Sequence, residues 1–480
     1  MALPKNKTKI VCTIGPASES PQVIEQMLRA GMDVARLNFS HGDFESHKRA
    51  IENLRAASRA TGRRLAIMAD LSGPKMRIGK LREEPVELEA GEVFTLTTRE
   101  VLGDVTGASV NFSRLPHAVK AGDALYLNDG FIQLEVLQVG QENVRCKVVV
   151  GGELRSRKGL NLPGIDLGIT AFTDWDRECL RFALAQGVDA VSQSFVESGK
   201  DIAQVREAAR DMGHNPFIIA KIERSRALGQ MESILNEADG IMIARGDLGV
   251  EIPIEQMAVA QKRLMRQANI LGKPVITATQ MLESMTTFRR PTRAESTDVA
   301  NAILDGTDGV MLSGESAMGK YPVDAVAMLV KIAEAIEPQR NQIAVKELFE
   351  GVDLRGRLRP FHLIAIGVEA SLAYASPAAV FIPTKSGATA RSLARFRPPV
   401  WIVAVSSQEA TCQALQFSWG VYPVHEREHP QDWNAYISQW LKHHEIEGDL
   451  VIFTEGSSAR HPEANNRMEI IELGQPARST

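Results

Sequence analysis

Cysteine is scarce in this chain of 480 residues, and where it occurs it is solitary. Cys12, Cys146, Cys179 and Cys412 lie far apart with no C-x-x-C spacing, so neither a zinc site nor a disulfide framework is suggested. An excess of charge is lacking too: 55 basic residues stand against 59 acidic ones, a formal net charge of -4. That argues against nucleic acid as the main partner and leaves room only for local basic pockets. No apolar run approaches the ~18 residues of a membrane span, and the opening MALPKNKTKIVCTIGP lacks the apolar centre of a signal peptide. A cytoplasmic protein with no membrane partner is the expectation. Repeats and low-complexity segments are likewise missing. What is present, 44% hydrophobic and 24% charged residues, describes a globular chain, and its length predicts two or three domains instead of one core.

From Thr8 onward, short β-rich runs alternate with longer helical patterns, which predicts parallel strands joined by crossover helices. Eight runs qualify: residues 9–14, 33–38, 65–70, 190–195, 217–223, 240–247, 274–280 and 309–315. Eight is the number that closes a β/α barrel. The helix between the last two is expected to start near Thr292, run through ESTDVANAILD and stop at Gly306, glycine being a common helix terminator. Most runs end in a polar or charged cluster: RLNFSH, ADLSGPK, SQSF, AKIE, ARGD, ATQ and LSGE. In a barrel those ends form one rim, where active sites gather.

Two further regions have a different texture. Between the third and fourth runs, EVFTLTT, ALYLND, FIQLEVLQV and NVRCKVVV are separated by glycines at short intervals, the reading of a small antiparallel β domain perched on the rim as a lid. After about Gln339, HLIAIGVEASLAYA, AAVFIPT, VWIVAVS, WGVYPV and DLVIFTE read as five strands, too few for a barrel and suited to an open α/β sheet. The expected division is a (β/α)8 TIM barrel from 1–70 and 167–339, an inserted small β-barrel lid at 71–166, and a C-terminal open-sheet α/β domain at 340–480. Residues 348–360, charged and with two glycines, are the expected linker.

The chemistry centres on DGIMIARGDLGVEI, residues 239–252. Its apolar start has the length of a buried strand and breaks at once into Arg245-Gly246-Asp247, so a buried strand delivers an exposed carboxylate. Gly246 and Gly249 leave the main chain open to a ligand. Lys221 and Glu223 end the fifth run two residues apart and so share a face; a solvated salt pair is the plain alternative, weakened because the preceding FIIA is apolar on both faces. On adjacent strand ends, Glu223 and Asp247 could hold a hard divalent cation such as Mg2+. No soft ligand beside them favours zinc, and structural pairing to Lys221 or Arg245 is the competing account. Arg36, Asn38, Ser40 and His41 end the second run, and a guanidinium on the same rim suits a phosphoryl group. Asp70-Leu71-Ser72-Gly73-Pro74-Lys75-Met76-Arg77 leaves the third; Gly-Pro alone is a turn, but Lys75 and Arg77 add phosphate capacity.

Two other motifs need weighing. Gly314 to Lys320 matches seven positions of a P-loop, but Tyr321 stands where Ser or Thr should bind magnesium and Pro322 follows, so the match is rejected. Thr384-Lys385-Ser386-Gly387-Ala388-Thr389 lies between a strand and a helix; it reads equally as an anion site or as plain N-capping.

Jointly these motifs resemble the pyruvate kinase family. RLNFSHG (36–42), the GPK turn, KGLNLPG (158–164), SQSF (192–195), AKIE (220–223), MIARGDLGVEI (242–252), TATQMLESM (277–285), RPTRAE (290–295) and LSGESAMGKYP (312–322) occur in that family's order and spacing. The resemblance implies phosphoryl transfer from phosphoenolpyruvate to ADP, giving pyruvate and ATP. It also implies Mg2+ (or Mn2+) and a homotetramer. Carried over residue by residue, Arg36 would grip the phosphate and Lys221 would neutralise charge on the transferring group and enolate. Glu223 and Asp247 would hold the metal, and the backbone of Ala244, Arg245, Gly246 and Asp247, with Thr279, would bind the substrate carboxylate. Thr279 would also stand near the proton delivery route. Asn38, His41, Arg77 and Lys158 would meet the ADP phosphates.

One position departs from the family's commonest pattern. Many members carry Glu after the Gly-Pro and bind K+ through residues matching Asn38, Ser40, Asp70 and the backbone of Leu71; this chain has Lys75, whose ammonium would replace K+, so activity without potassium is expected. Thr384, Ser386, Gly387 and Thr389 match the effector-phosphate loop. Ala388 replaces the Arg of many members, and the tail loop EGSSARHPEANN lacks their aromatic, which points to a sugar monophosphate or nucleotide effector over a bisphosphate. Two alternatives remain open at this stage. One is another phosphoenolpyruvate- or pyruvate-utilising Mg-dependent barrel enzyme, an aldolase or lyase; the other is a catalytically idle metabolite sensor.

Overall fold

The computed structural model describes residues 3–340, 345–350, 358–456 and 466–474. Eight short parallel strands, Lys9–Thr13, Val34–Asn38, Ala66–Leu71, Ala190–Gln193, Phe217–Ile222, Gly240–Ala244, Val275–Ala278 and Gly309–Leu312, close into a barrel in chain order. The first is hydrogen-bonded to the eighth. Val11, Val34, Met68, Ile219, Met242, Ile276 and Met311 fill the barrel interior, while Ile10, Cys12, Ile67, Ile218, Ile241, Ile243 and Val310 pack outward against helices. Both strand faces are dry, which is why these strands read as unbroken apolar runs. All eight expected runs are strands, but several stop sooner than expected. Residues 245–247 leave the sheet to open the helix Arg245–Glu251, and 314–315 likewise enter the turn of helix Gly314–Ala317.

The helix before the last strand spans Arg293–Asp305. Thr292 caps it by accepting the Glu295 N–H, Glu295 returns a carboxylate to the Thr292 N–H, and Gly306 ends it at φ 108°. The start at Thr292 and the glycine stop are what the sequence indicated; the reciprocal box is what fixes the start.

The insertion after the third strand has a six-stranded sheet, ordered Leu160–Asn161, Ala124–Leu127, Ile132–Val139, Asn143–Val150, Val93–Thr97 and Gly107–Ser109, and a two-stranded one, Val86–Leu88 with Gly152–Leu154. Together they wrap one core. Its pairings are antiparallel as expected except the last, where Val93–Thr97 runs parallel to Gly107–Ser109. Where the insertion returns to the barrel, the buried Arg224 donates to the carbonyls of Leu162 (3.4 Å) and Ile165 (2.9 Å) and to Oε1 of Glu251 (2.6 Å).

In the C-terminal region the sheet order is Val421–His425, Trp401–Ser406, Ala379–Pro383, Leu450–Glu455 and Arg467–Glu472, the last antiparallel at the edge. HLIAIGVEASLAYA, expected as a strand, is the helix Pro360–Leu372. It is too long and too alanine-rich for a strand, and it starts on a proline, which suits the first helical turn. The fifth strand is instead RMEIIE, whose alternating charge is that of an edge. Phe417 of this region reaches the barrel floor, its ring 5.2 Å from that of Phe217. The floor is thereby plugged, and the open rim lies at the opposite end. All four cysteines are free and buried, and no described helix is long and apolar enough to cross a membrane. Much of the expected linker at 348–360 and of the tail loop at 455–466 lies outside the described residues.

Candidate active site

Strand register places Arg36, Asp70, Ser192 and Lys221 on neighbouring ends of the rim. Asp70 is their hub. Its Oδ2 accepts from Nε (2.8 Å) and Nη2 (2.5 Å) of Arg36 and from Nζ of Lys221 (3.4 Å), and its Oδ1 accepts from the Ser192 hydroxyl (2.7 Å). Arg36 also donates to Oγ1 of Thr13 (2.8 Å), and Lys221 to Oγ of Ser194 (2.6 Å). Burial by itself would raise the Asp70 pKa, yet Lys221 and Arg36 hold the carboxyl well below the usual range. For Lys221 burial pushes down, but Asp70 and Glu223 more than offset it, and the ammonium titrates higher than normal. Lys221 is thus kept charged, and both cations are aimed in a nearly dry rim, where charge interactions are strong.

Glu223 is buried, with Oε1 accepting the Phe195 N–H at 2.6 Å and Oε2 3.6 Å from Nζ of Lys221. Phe195 makes that bond from a left-handed conformation, φ 60°, a strained geometry of the kind found at functional sites. Burial and the like charges of Asp247 and Asp70 raise the Glu223 pKa, against the pull of Lys221. Asp247, in the first turn of the helix after the sixth strand, stands exposed beside it. Two oxygen donors that repel each other fit a hard divalent cation. No group of three or more His, Cys, Asp or Glu could hold a metal among the described residues, so the pair would need oxygens from a substrate to complete a shell.

Thr279 and Gln280 also have positive φ, 70° and 53°. The Thr279 hydroxyl accepts the Gly246 N–H at 2.7 Å, and its carbonyl accepts from Nη2 of Arg245 at 2.9 Å. Arg245 is otherwise paired with Asp298, Nη2 to Oδ2 at 2.6 Å. Its side chain therefore braces the loop that carries Thr279.

Lys75 lies close enough to Lys221, Asp70, Glu223 and Asp247 to feel each charge; burial first and Lys221 second lower its pKa. Asn38 Oδ1 accepts the Ser40 N–H (3.2 Å), and the Ser40 hydroxyl meets that of Ser72 (2.9 Å). The His41 pKa is lowered by burial and then by Lys75, Arg77 and Arg36, so these four form one basic neighbourhood. Arg77 belongs to the insertion and donates Nη1 to the Arg157 carbonyl (2.8 Å), with Lys158 alongside, its carbonyl accepting the Ile78 N–H (3.0 Å).

Comparison with known proteins decides the family. Residues 5–326 match the model of the pyruvate kinase barrel domain, and residues 364–471 that of the pyruvate kinase alpha/beta domain. The chain belongs to the pyruvate kinase family. It is 46% identical to a pyruvate kinase of Thermococcus litoralis, over 98% of this chain and 100% of that one, and 42% identical to one of Geobacillus stearothermophilus, over 97% and 80%. A crystal structure of a pyruvate kinase from Cryptosporidium parvum superposes with a TM-score of 0.91 at 35% identity, covering 98% of this chain and 96% of that one. Membership of the pyruvate kinase family sets aside the aldolase or lyase alternative.

The loop 384–389, expected from the resemblance to take an effector phosphate, is closed on itself: Thr384 Oγ1 accepts the Gly387 N–H (2.9 Å), Gly387 has φ 75°, and Arg391 donates to the Ser386 carbonyl (2.8 Å). Thr389 follows in the first turn of helix Ala388–Ala394. Sequence reasoning missed the supporting partners Thr13, Ser192, Ser194 and Phe195, and the role of Asp70 as hub. SQSF signalled a polar strand end, but only three-dimensional register shows that Ser192, Ser194 and Phe195 serve three different site residues, Asp70, Lys221 and Glu223.

Proposed function

We propose that this pyruvate kinase moves the phosphoryl group of phosphoenolpyruvate to ADP at the rim of the barrel, releasing ATP and an enolate that is protonated to pyruvate. The observation that carries the reading is the pair of cations, Arg36 and Lys221, held on one buried carboxylate, Asp70, beside Glu223 and Asp247. Phosphoryl transfer asks little covalent work of a protein and depends on positioning and charge. Arg36 binds the phosphoryl oxygens through its fork. Lys221 neutralises charge that spreads over the transferring group and the enolate oxygen. The substrate carboxylate lies against the backbone of 244–247, at the opening turn of a helix, where N–H groups lack intrahelical acceptors, and against Thr279, which also stands on the route of the proton to the enolate. His41, Arg77, Asn38 and Lys158 meet the ADP phosphates. Glu223 and Asp247 would hold Mg2+, or Mn2+, whose charge would offset that of the phosphoryl and enolate oxygens. Approach of the insertion would exclude water and strengthen these interactions.

Lys75 supplies the monovalent charge of the pocket formed by Asn38, Ser40, Asp70 and Leu71, so turnover needs no K+. What supports this is a lysine placed within reach of Asp70, Glu223 and Asp247, whose negative charges act against the burial and the Lys221 charge that lower its pKa. A sugar monophosphate or nucleotide acts at Thr384, Ser386, Gly387 and Thr389. The family resemblance supports a homotetramer, four buried free thiols suit a cytoplasmic location, and the working division is 1–70 with 167–339, 71–166 and 340–480. The decisive assay is ATP formation. Phosphoenolpyruvate and ADP together with Mg2+ should yield it, neither alone should, and Lys221→Met should abolish it in a folded protein; unchanged turnover in that variant would return the idle-sensor alternative.

A further inference from the structure

Where the base of the barrel meets the C-terminal domain, far from the rim, a small cavity of about 10 Å3 is lined by Asn269, Lys273, Asp308, Arg391, Arg395 and Ser418. That is room for one water-sized occupant. Three cations and a single carboxylate face it, and the carboxylate is already saturated. Asp308 accepts Nη1 (2.6 Å) and Nη2 (2.8 Å) of Arg397, the Val275 N–H (3.0 Å) and the Trp419 N–H (3.0 Å), which fills its four lone-pair directions. Lys273 and Arg391 donate to neutral carbonyls, those of Ala238 (2.7 Å) and Ser386 (2.8 Å).

Arg395 is the least satisfied group. It is 3% exposed and lies with its guanidinium carbon 4.9 Å from the ring centres of both Phe349 and Phe396. Nη1 donates to the Ile270 carbonyl at 3.0 Å, whereas among the described residues Nε and Nη2 have no partner, and neither does the fully buried Oγ of Ser418. A buried donor without an acceptor costs about 1–3 kcal/mol, more when charged. Burial pushes the Arg395 guanidinium down to about 10, and it lowers Lys273 and Arg391 as well. Asp239 partly offsets this at Lys273 and Arg391, whereas Arg395 has no carboxylate acting on it among the described residues.

We propose that this junction binds one small inorganic anion of the halide class, held by Arg395 and Ser418 with Lys273 and Arg391 supplying the surrounding positive charge. The small volume favours a monatomic anion over phosphate or sulfate. The anion fastens the C-terminal domain, through Arg395 and the helix Ala388–Ala394, to the base of the seventh strand, Val275–Ala278. The other end of that strand leads into Thr279, so the occupant sits one short strand away from the active-site loop.

The test compares thermal midpoints of the full-length protein in chloride or bromide with those in gluconate at equal ionic strength, together with anomalous scattering from bromide-soaked crystals. Halide should raise the midpoint by a few degrees with saturation in the millimolar range. Bromide should give an anomalous peak between Arg395 and Ser418. Arg395→Gln and, should that variant fold poorly, Ser418→Ala should each lose the halide response. A response unchanged in Ser418→Ala, an equal response to sulfate, or a cavity holding water alone overturns the proposal. So does a bromide peak with no midpoint shift, which means an adventitious ion only.

Discussion

Nε of Arg36 and Oδ2 of Asp70 lie 2.8 Å apart across the ends of adjacent barrel strands, so the guanidinium is aimed before any ligand arrives. Asp70→Asn preserves the shape but removes the charge that orients Arg36 and keeps Lys221 protonated. Loss of such an outer partner typically costs roughly 10- to 100-fold in activity. Steady-state kinetics should show that loss in kcat/KM, with circular dichroism unchanged; full activity in Asp70→Asn would mean that Arg36 and Lys221 need no hub.

Potassium should be dispensable. Turnover in a buffer whose only monovalent cation is a bulky tetraalkylammonium should match that with K+ to within about twofold, well under the tenfold that 1.4 kcal/mol represents. Lys75→Glu should invert the result by leaving a pocket that must recruit K+. A wild-type enzyme that stalls without K+ would refute the assignment of Lys75.

Arg245 offers a separation of bracing from binding. Arg245→Met removes the Asp298 pair and the bond to the Thr279 carbonyl, and charged hydrogen bonds of this kind are worth about 2 kcal/mol. Urea unfolding should register a loss of that order, and KM for phosphoenolpyruvate should rise because Thr279 loses its anchor. If binding weakened with no change in stability, the side chain would be touching substrate directly.

Glu369 gives a pH signature independent of the active site. It is buried on the helix Pro360–Leu372 with Oε2 lacking a partner among the described residues, and burial raises its pKa from the ordinary 4.5 to about 7. Folding favours the protonated carboxyl, so its stabilising contribution is complete below 4.5 and is lost as pH rises through about 7. Glu369→Gln should therefore raise the melting temperature near pH 8 and flatten its pH dependence. A variant that melts with the wild-type profile would exclude Glu369 as the titrating group.

Gly73 should tolerate no side chain. At φ 64° an added Cβ would sit 3.0 Å from Cδ2 of Phe195 and 3.1 Å from the Ser194 carbonyl oxygen. Because Ser194 and Phe195 hold Lys221 and Glu223, Gly73→Ala should lower kcat as well as stability, whereas Gly187→Ala, with nothing near its Cβ position, should affect stability alone.

The barrel was legible because its strands are dry on both faces and break into polar clusters, a pattern that survives without any knowledge of the fold. Lys221, Glu223, Arg36 and Asp247 could be picked out for the same reason: they are charges at the ends of apolar runs. Strand length was overestimated at 240–247 since the sequence does not mark where a polar end stops pairing and starts a helical turn. HLIAIGVEASLAYA misled because hydrophobicity all along a segment fits a buried strand or a buried helix. The hub at Asp70 was hidden for a different reason. Its partners are 34, 122 and 151 residues away in sequence, and only barrel closure brings them within 4 Å.

Arg224 gives the insertion unequal attachments. The returning chain is clasped at Leu162 and Ile165 by a guanidinium that is itself gripped by Glu251, whereas the outgoing chain passes through Gly73 and a proline. A buried charge cluster thus holds one connection, and the Gly73 N–H on Oδ1 of Asp176 (3.1 Å) holds the other. Arg224, which touches neither Arg77 nor Lys158, is therefore what sets the stance of the insertion that carries them over the barrel rim.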